Sequence, residues 1–145
     1  MKSFLTFILL SITWMSNAFQ LNAQNSKAIP SHKIVMQLTS ADPMVHKSLM
    51  KQISNLKEGW NDSVAIEIVC HGPGMEFLMK EKNLIAPNFI EFKSMNVNFV
   101  ACRNSMKEKK IEEIQLFEDI SYVQMGIAEI VVKQEQGWSY IKTGF

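Results

Sequence analysis

The sequence has little cysteine, little histidine and no excess of charge, and each shortage excludes a class of protein. Its 145 residues include two cysteines and three histidines, with 15 basic and 14 acidic residues. Two cysteines, Cys70 and Cys102, are too few and too far apart for a disulfide framework or a zinc site. A net charge of +1 provides no basic stripe for phosphates, so we expect no nucleic-acid partner.

Familiar site motifs are also missing. The chain has no G-x-x-x-x-G-K-[ST], G-x-G-x-x-G, G-x-S-x-G or H-E-x-x-H, which excludes the commonest nucleotide-binding, hydrolase and zinc-protease sites. Ten methionines could suit a soft metal, but they are scattered and fit better as core residues. We therefore expect no metal site and no resident cofactor.

One apolar run stands out, at residues 4–15. It follows Lys2 and precedes small and polar residues, an order typical of a secretory signal peptide. The run is too short for the roughly 20 residues that cross a bilayer. We predict a signal peptide over residues 1–23, cleaved after Ala23 or alternatively after Ala18. An uncleaved anchor helix is the other interpretation.

Export to the periplasm or the medium follows from that prediction, with no stable membrane insertion after cleavage. Residues 24–32 are polar and contain Pro30, so they are predicted to form a tether. The remaining residues, 33–145, are long enough for one domain of ordinary size.

Apolar strand-length runs alternate with helical patterns along this domain. The clearest helix starts at Asp42-Pro43, where an N-cap residue precedes proline at the first helical position. Such alternation predicts an α/β fold with a mostly parallel sheet of about five strands, covered on both faces. The predicted strands are 33–38, 64–69, 97–101, 121–124 and 138–142, and the later predicted helices are 75–80, 88–95, 106–113 and 126–136. Phe89 and Phe92 are expected to face inward, as are Ile127, Ile130 and Val131.

Ligands of open parallel sheets bind beyond the carboxyl ends of the strands. Cys102 lies at such an end, immediately before a helix, and Arg103 follows it. Helix amides and a nearby positive charge would stabilise a thiolate, the reactive form of cysteine. Cys102 is therefore the candidate catalytic residue, although a buried cysteine that only fills the core is the alternative.

The second cysteine, Cys70, closes another strand and precedes His71-Gly72-Pro73-Gly74. A Cys70–Cys102 disulfide requires that their strands be neighbours, since adjacent strands lie about 4.8 Å apart. The glycines could admit an anion to backbone amides or could simply make a tight turn. His71 could carry a proton or could be structural.

Several ordered segments resemble the DsrE/DsrF-like sulfur-oxidation family. They are Asp42-Pro43 with His46-Lys47, the 71–74 turn, residues 100–105 and residues 137–142. The resemblance covers about residues 33–142 and implies a three-layer α/β/α domain that assembles as trimers or hexamers. In sulfur-relay members one cysteine carries sulfur as a persulfide, and Cys102 matches that cysteine, followed here by Asn104-Ser105. Cys70 matches no family motif.

The leading hypothesis is therefore a sulfur-handling protein, in which Cys102 accepts sulfur as a persulfide or acts as a redox-active thiol. It implies a donor or acceptor protein as partner, although relay members work in the cytoplasm and this chain is predicted to be exported. The alternative is a non-catalytic oligomer that binds a small ligand. A purely structural oligomer is the third interpretation. The candidate ligand-binding residues are Ser40, His71, Gly72, Gly74, Arg103 and Asn104.

Overall fold

The structure is a computed structural model that describes residues 30–83 and 89–144. Five parallel strands form one sheet in the order β4-β3-β2-β1-β5, which confirms the predicted α/β fold. The predicted signal peptide and most of the predicted tether lie outside the described residues. The strands are β1 (His32–Leu38), β2 (Val64–Cys70), β3 (Val97–Cys102), β4 (Ser121–Val123) and β5 (Ser139–Lys142), and the helices are α1 (Pro43–Trp60), α2 (Phe89–Ser94), α3 (Arg103–Lys109) and α4 (Gly126–Glu135).

Most of the core lies on one face of the sheet, here called the α1 face. There, alternate residues of β1, β2 and β3 pack against α1, whose Val45, Leu49 and Ile53 are buried. The Asp42 carboxylate accepts the Met44 N–H at 2.8 Å and caps the start of α1. Phe92 of α2 packs against the same core, as predicted; the side chain of Phe89 lies outside the description.

The opposite face, here called the α4 face, has a much smaller core. Val35, Val69 and Val100 of the three central strands meet Ile130 of α4 there. The expectation that Ile127 and Val131 also face inward is wrong, because their exposed fractions are 55% and 48%. The helix contacts the sheet along a narrower stripe than its apolar sequence suggests.

Two other predicted elements differ in form. The short helix predicted over 75–80 is a 3₁₀ helix that begins earlier and ends earlier, at Gly72–Leu78. The helix predicted at 106–113 is α3, which begins at Arg103 and ends at Lys109, where Lys110 adopts a left-handed conformation with φ 54°. Among the described residues, no helix is both long enough and apolar enough to span a bilayer.

Candidate functional site

Cys102 lies at the carboxyl end of β3, beside β4. The connections that follow these two neighbouring strands turn to opposite faces of the sheet. After β3 the chain enters α3, whose Met106 joins the core of the α1 face. After β4 it enters α4, whose Ile130 packs on the other face. Such a divergence opens a crevice at the carboxyl ends of parallel strands. Cys102 is the last residue of β3 and the N-cap residue of α3, so its side chain lies at the crevice.

Hydrogen-bond donors from the starts of two helices converge on the Cys102 sulfur. The Gly126 N–H, at the start of α4, donates to Sγ at 3.2 Å. In the first turn of α3, the Ser105 and Asn104 amides and the Ser105 hydroxyl lie near enough to Sγ to lower the pKa of the thiol, while the Asn104 N–H itself donates to the Gln124 carbonyl at 3.2 Å. The Ser105 Oγ accepts the Gly72 N–H at 2.9 Å, which leaves the hydroxyl proton available for the sulfur. This arrangement stabilises negative charge on Sγ.

Opposing effects act on the pKa of Cys102, and the donors prevail. Burial alone raises the pKa, but the hydrogen bonds from Ser105, Gly126 and Asn104 together bring it below the usual value. The residue is only 4% exposed. The structure thus combines a lowered thiol pKa with restricted access, so a reacting molecule must reach Sγ through the rim of the sheet.

The positive charge of Arg103 plays a different part from the one expected. Its guanidinium Nη1 lies 2.8 Å from Oε1 of Glu113 and its Cζ lies 4.7 Å from the centre of the Tyr122 ring. The groups that lower the pKa of Cys102 are neutral donors, and Arg103 is not among them. Arg103 therefore joins α3 to Glu113 in the segment before β4 and to Tyr122 in β4.

Cys70 differs from Cys102 in burial and direction. It is fully buried in the core of the α1 face, and burial raises the pKa of its thiol. Its strand is adjacent to β3, as a disulfide would need, but Cys70 pairs with Ala101 in the register. Cys102 is one residue further along and so points to the opposite face. Both cysteines are free thiols.

His71 is the predicted residue that the structure brings beside Cys102. A Cβ placed on Gly126 would lie 3.2 Å from the Cβ of His71 and 3.3 Å from that of Cys102. The two side chains therefore flank Gly126. His71 Nε2 lies 2.7 Å from Nε2 of Gln37, and partial burial lowers the pKa of the imidazole.

The other predicted ligand-binding groups are engaged within the protein. The Asn104 Oδ1 accepts the Gln124 Nε2–H at 2.7 Å, and the Ser40 Oγ accepts the Asp42 N–H at 3.1 Å. The Gly72 N–H donates a hydrogen bond to the Ser105 Oγ, while Gly74 lies against the backbone of Leu38. Ser40 thus organises its own loop, and the 71–74 turn serves the site through Ser105 rather than as an open anion cradle.

Sequence reasoning did not assign roles to Ser105, Gly126 or Gln37. Gly126 begins the helix that follows β4, close beyond the carboxyl end of that strand, which is a signal that could have identified it. Gln37 is an amide inside an otherwise apolar strand-length run, and such a residue usually has a partner. In the described part of the chain, no cluster of three or more His, Cys, Asp or Glu side chains could hold a metal ion.

Comparison with known proteins agrees with this fold. The family model described as the DsrE/DsrF-like family matches residues 34–143. A solved structure, that of the protein of unknown function MTH1491 from Methanobacterium thermoautotrophicum, is similar, with a TM-score of 0.70 and 26% sequence identity; the match covers 77% of this chain and 98% of that chain. No curated protein matches the chain. Since the family model matches well over half of the chain and includes residues of all five strands, this chain belongs to the DsrE/DsrF-like family.

Proposed function

We propose that this protein carries sulfur and that Cys102 holds the sulfur as a persulfide. The observation that supports the proposal most strongly is the convergence of donors from two helix starts on the Cys102 Sγ. A thiolate held this way is both a nucleophile and a good leaving group. Family membership supports a sulfur-relay type of chemistry.

The proposed uptake step is a simple exchange of sulfur. The Cys102 thiolate attacks the terminal sulfur of a polysulfide or of a donor persulfide, and a new S–S bond forms at Sγ. The donor's S–S bond breaks, and its electron pair leaves with the donor as a thiolate or a shortened polysulfide. The transferred sulfur keeps its oxidation state, so no external oxidant is needed. Because export is predicted, the donor is a small polysulfide or a partner protein of that compartment.

Mass spectrometry after treatment with inorganic polysulfide tests the proposal. We expect the native protein to gain sulfur and peptide mapping to place it on Cys102 and not on Cys70, because Cys70 is buried in the core and its thiol is held protonated. A thiol reductant should remove the added mass. If Cys102 gains no sulfur while circular dichroism shows an intact fold, the proposal is wrong.

We also propose that the protein forms a homo-oligomer, a trimer or hexamer, through the α4 face. Four large apolar residues at or in α4 are at least 42% exposed, namely Met125, Ile127, Val131 and Val132. Ile127 and Val131 are four residues apart and so form one stripe along the helix. Contiguous exposed apolar surface of this kind is typical of protein interfaces.

Light scattering on Ile127→Glu tests the oligomer. We expect the wild-type protein to be oligomeric and the variant to have the mass of a monomer, because a charge would be buried in the interface. Ile114→Glu is the matched control, since Ile114 is 78% exposed and lies outside α4. A monomeric wild type, or a variant that assembles like the control, would contradict the proposal.

A further inference from the structure

A row of side chains crosses the α4 face at the carboxyl edge of the sheet, from β5 to β3. Tyr140 pairs with Val35, so it shares that residue's face, and Gln37 is two residues beyond Val35 on the same face. His71 follows β2, and Cys102 ends β3. Across successive strands of the sheet, the row is thus formed by Tyr140 of β5, Gln37 of β1, the residue after β2 and the last residue of β3.

Hydrogen bonds link these side chains, and each donor points along the row from Tyr140 toward His71. The Tyr140 hydroxyl donates to Oε1 of Gln37. The amide nitrogen of Gln37 then faces Nε2 of His71 at 2.7 Å. An amide NH₂ group can only donate, so Nε2 of His71 must accept. A neutral imidazole that accepts at Nε2 carries its proton on Nδ1.

The Nδ1–H of His71 is consequently a donor at the site. Partial burial lowers the pKa of His71, which favours the neutral ring. In the described parts of the chain, no protein group pairs with Nδ1, whereas Nε2 is held by Gln37. The Cβ atoms of His71 and Cys102 both lie against Gly126, so the two side chains leave the ends of neighbouring strands on the same face of the sheet.

We propose that Gln37 and Tyr140 are positioning residues that hold His71 in its Nδ1–H tautomer, and that this N–H donates a hydrogen bond to the outer sulfur carried on Cys102. The inference rests on the proposed function. In the delivery step an acceptor thiolate attacks the outer sulfur, the bond to Sγ breaks, and the electron pair returns to Sγ. The His71 donor polarises the outer sulfur, while the amides of Gly126 and Ser105 stabilise the departing thiolate.

Tyrosine-to-phenylalanine substitution tests this role with little effect on packing. In Tyr140→Phe the Gln37 oxygen loses the hydroxyl that donates to it, so the amide is freer to turn its oxygen toward His71 and favour the Nε2–H tautomer. Gln37→Leu removes the hydrogen bond to His71 altogether. Tyr122→Phe, at the only other tyrosine of the chain, is the matched control.

Two readouts are needed. Long-range ¹H–¹⁵N NMR should show Nδ1–H in the wild type and the control, and mixed tautomers in Tyr140→Phe and Gln37→Leu. Transfer of sulfur from polysulfide-loaded protein to a small thiol should slow in Gln37→Leu by up to about tenfold, the value of one fully lost hydrogen bond, because only part of the protein then carries Nδ1–H. Tyr140→Phe should lie between Gln37→Leu and the control.

The outcomes separate this inference from the proposed function. A wild type that takes up no sulfur refutes the proposed function, and with it the sulfur-donating role of His71. Normal loading with an Nε2–H wild type, or with tautomer and transfer rate unchanged in both variants, overturns the inference alone. A changed tautomer with an unchanged rate also overturns it, because His71 would then be placed without acting on the sulfur.

Discussion

Cys102→Ser should abolish both sulfur uptake and rapid thiol labelling of the native protein, whereas Cys70→Ser should leave both at the wild-type level. The cause is the contrast between the two environments. The Sγ of Cys102 receives hydrogen bonds that favour a thiolate, and Cys70 lies in the core without exposure. Since thiolate fraction and access together determine reactivity, the two thiols should differ by orders of magnitude in rate.

The comparison needs labelling before and after unfolding. We expect Cys70 to react only when denaturant opens the core, so Cys102→Ser should label slowly in buffer and fully in guanidinium chloride. Serine is close to cysteine in size, and the fold of Cys102→Ser can be checked by its melting temperature. Sulfur uptake by Cys102→Ser, or rapid native labelling of Cys70 in that variant, would contradict the assignment.

Gly74→Ala should be the most destabilising substitution in the 71–74 turn. A Cβ at Gly74 would lie 2.1 Å from the Leu38 carbonyl oxygen and 2.6 Å from its carbonyl carbon. These are backbone atoms at the end of β1, so they cannot rotate away. Forcing extra volume into such a contact costs about 3 kcal/mol or more of unfolding free energy, and urea denaturation measures the loss.

Gly72→Ala is the comparison within the same turn. Gly72 has φ +53° and no atom within 4 Å of its added Cβ, so the substitution costs only the backbone strain of about 1 kcal/mol. Equal destabilisation by the two substitutions would mean that the close approach to Leu38 does not hold the turn. A larger loss of stability in Gly74→Ala would show that the close packing of Gly74 on Leu38 positions the turn, and with it His71 and Gly72.

Much of the fold could be predicted from the sequence because its signals are local. The β-branched run before Cys70 and the Asp42-Pro43 helix start each involve a few neighbouring residues. The position of Cys102 between a strand and a helix follows from the same kind of signal. These features depend on backbone propensities and helix caps, which can be inferred from a few neighbouring residues in the sequence.

The contacts that form the site could not be predicted in this way. Gly126 reaches Cys102 across 24 residues, and Gly72 reaches Ser105 across 33. Both contacts depend on strand order and on which face each helix takes, and neither is encoded by spacing. The sequence pattern predicts an inward Ile127 for a related reason, because periodicity identifies an apolar stripe without showing what covers it.

The pH dependence of Cys102 alkylation tests most directly whether neutral hydrogen-bond donors lower the pKa of this thiol. The measurement is the rate of reaction with iodoacetamide in folded Cys70→Ser protein, with and without Ser105→Ala. Because its hydrogen-bond surroundings lower the pKa of Cys102, we expect a midpoint below that of an unperturbed cysteine measured in the same buffer. Loss of the Ser105 hydroxyl should move that midpoint upward. A midpoint at or above the ordinary value, unchanged in Ser105→Ala, would show that the converging amides do not activate Cys102.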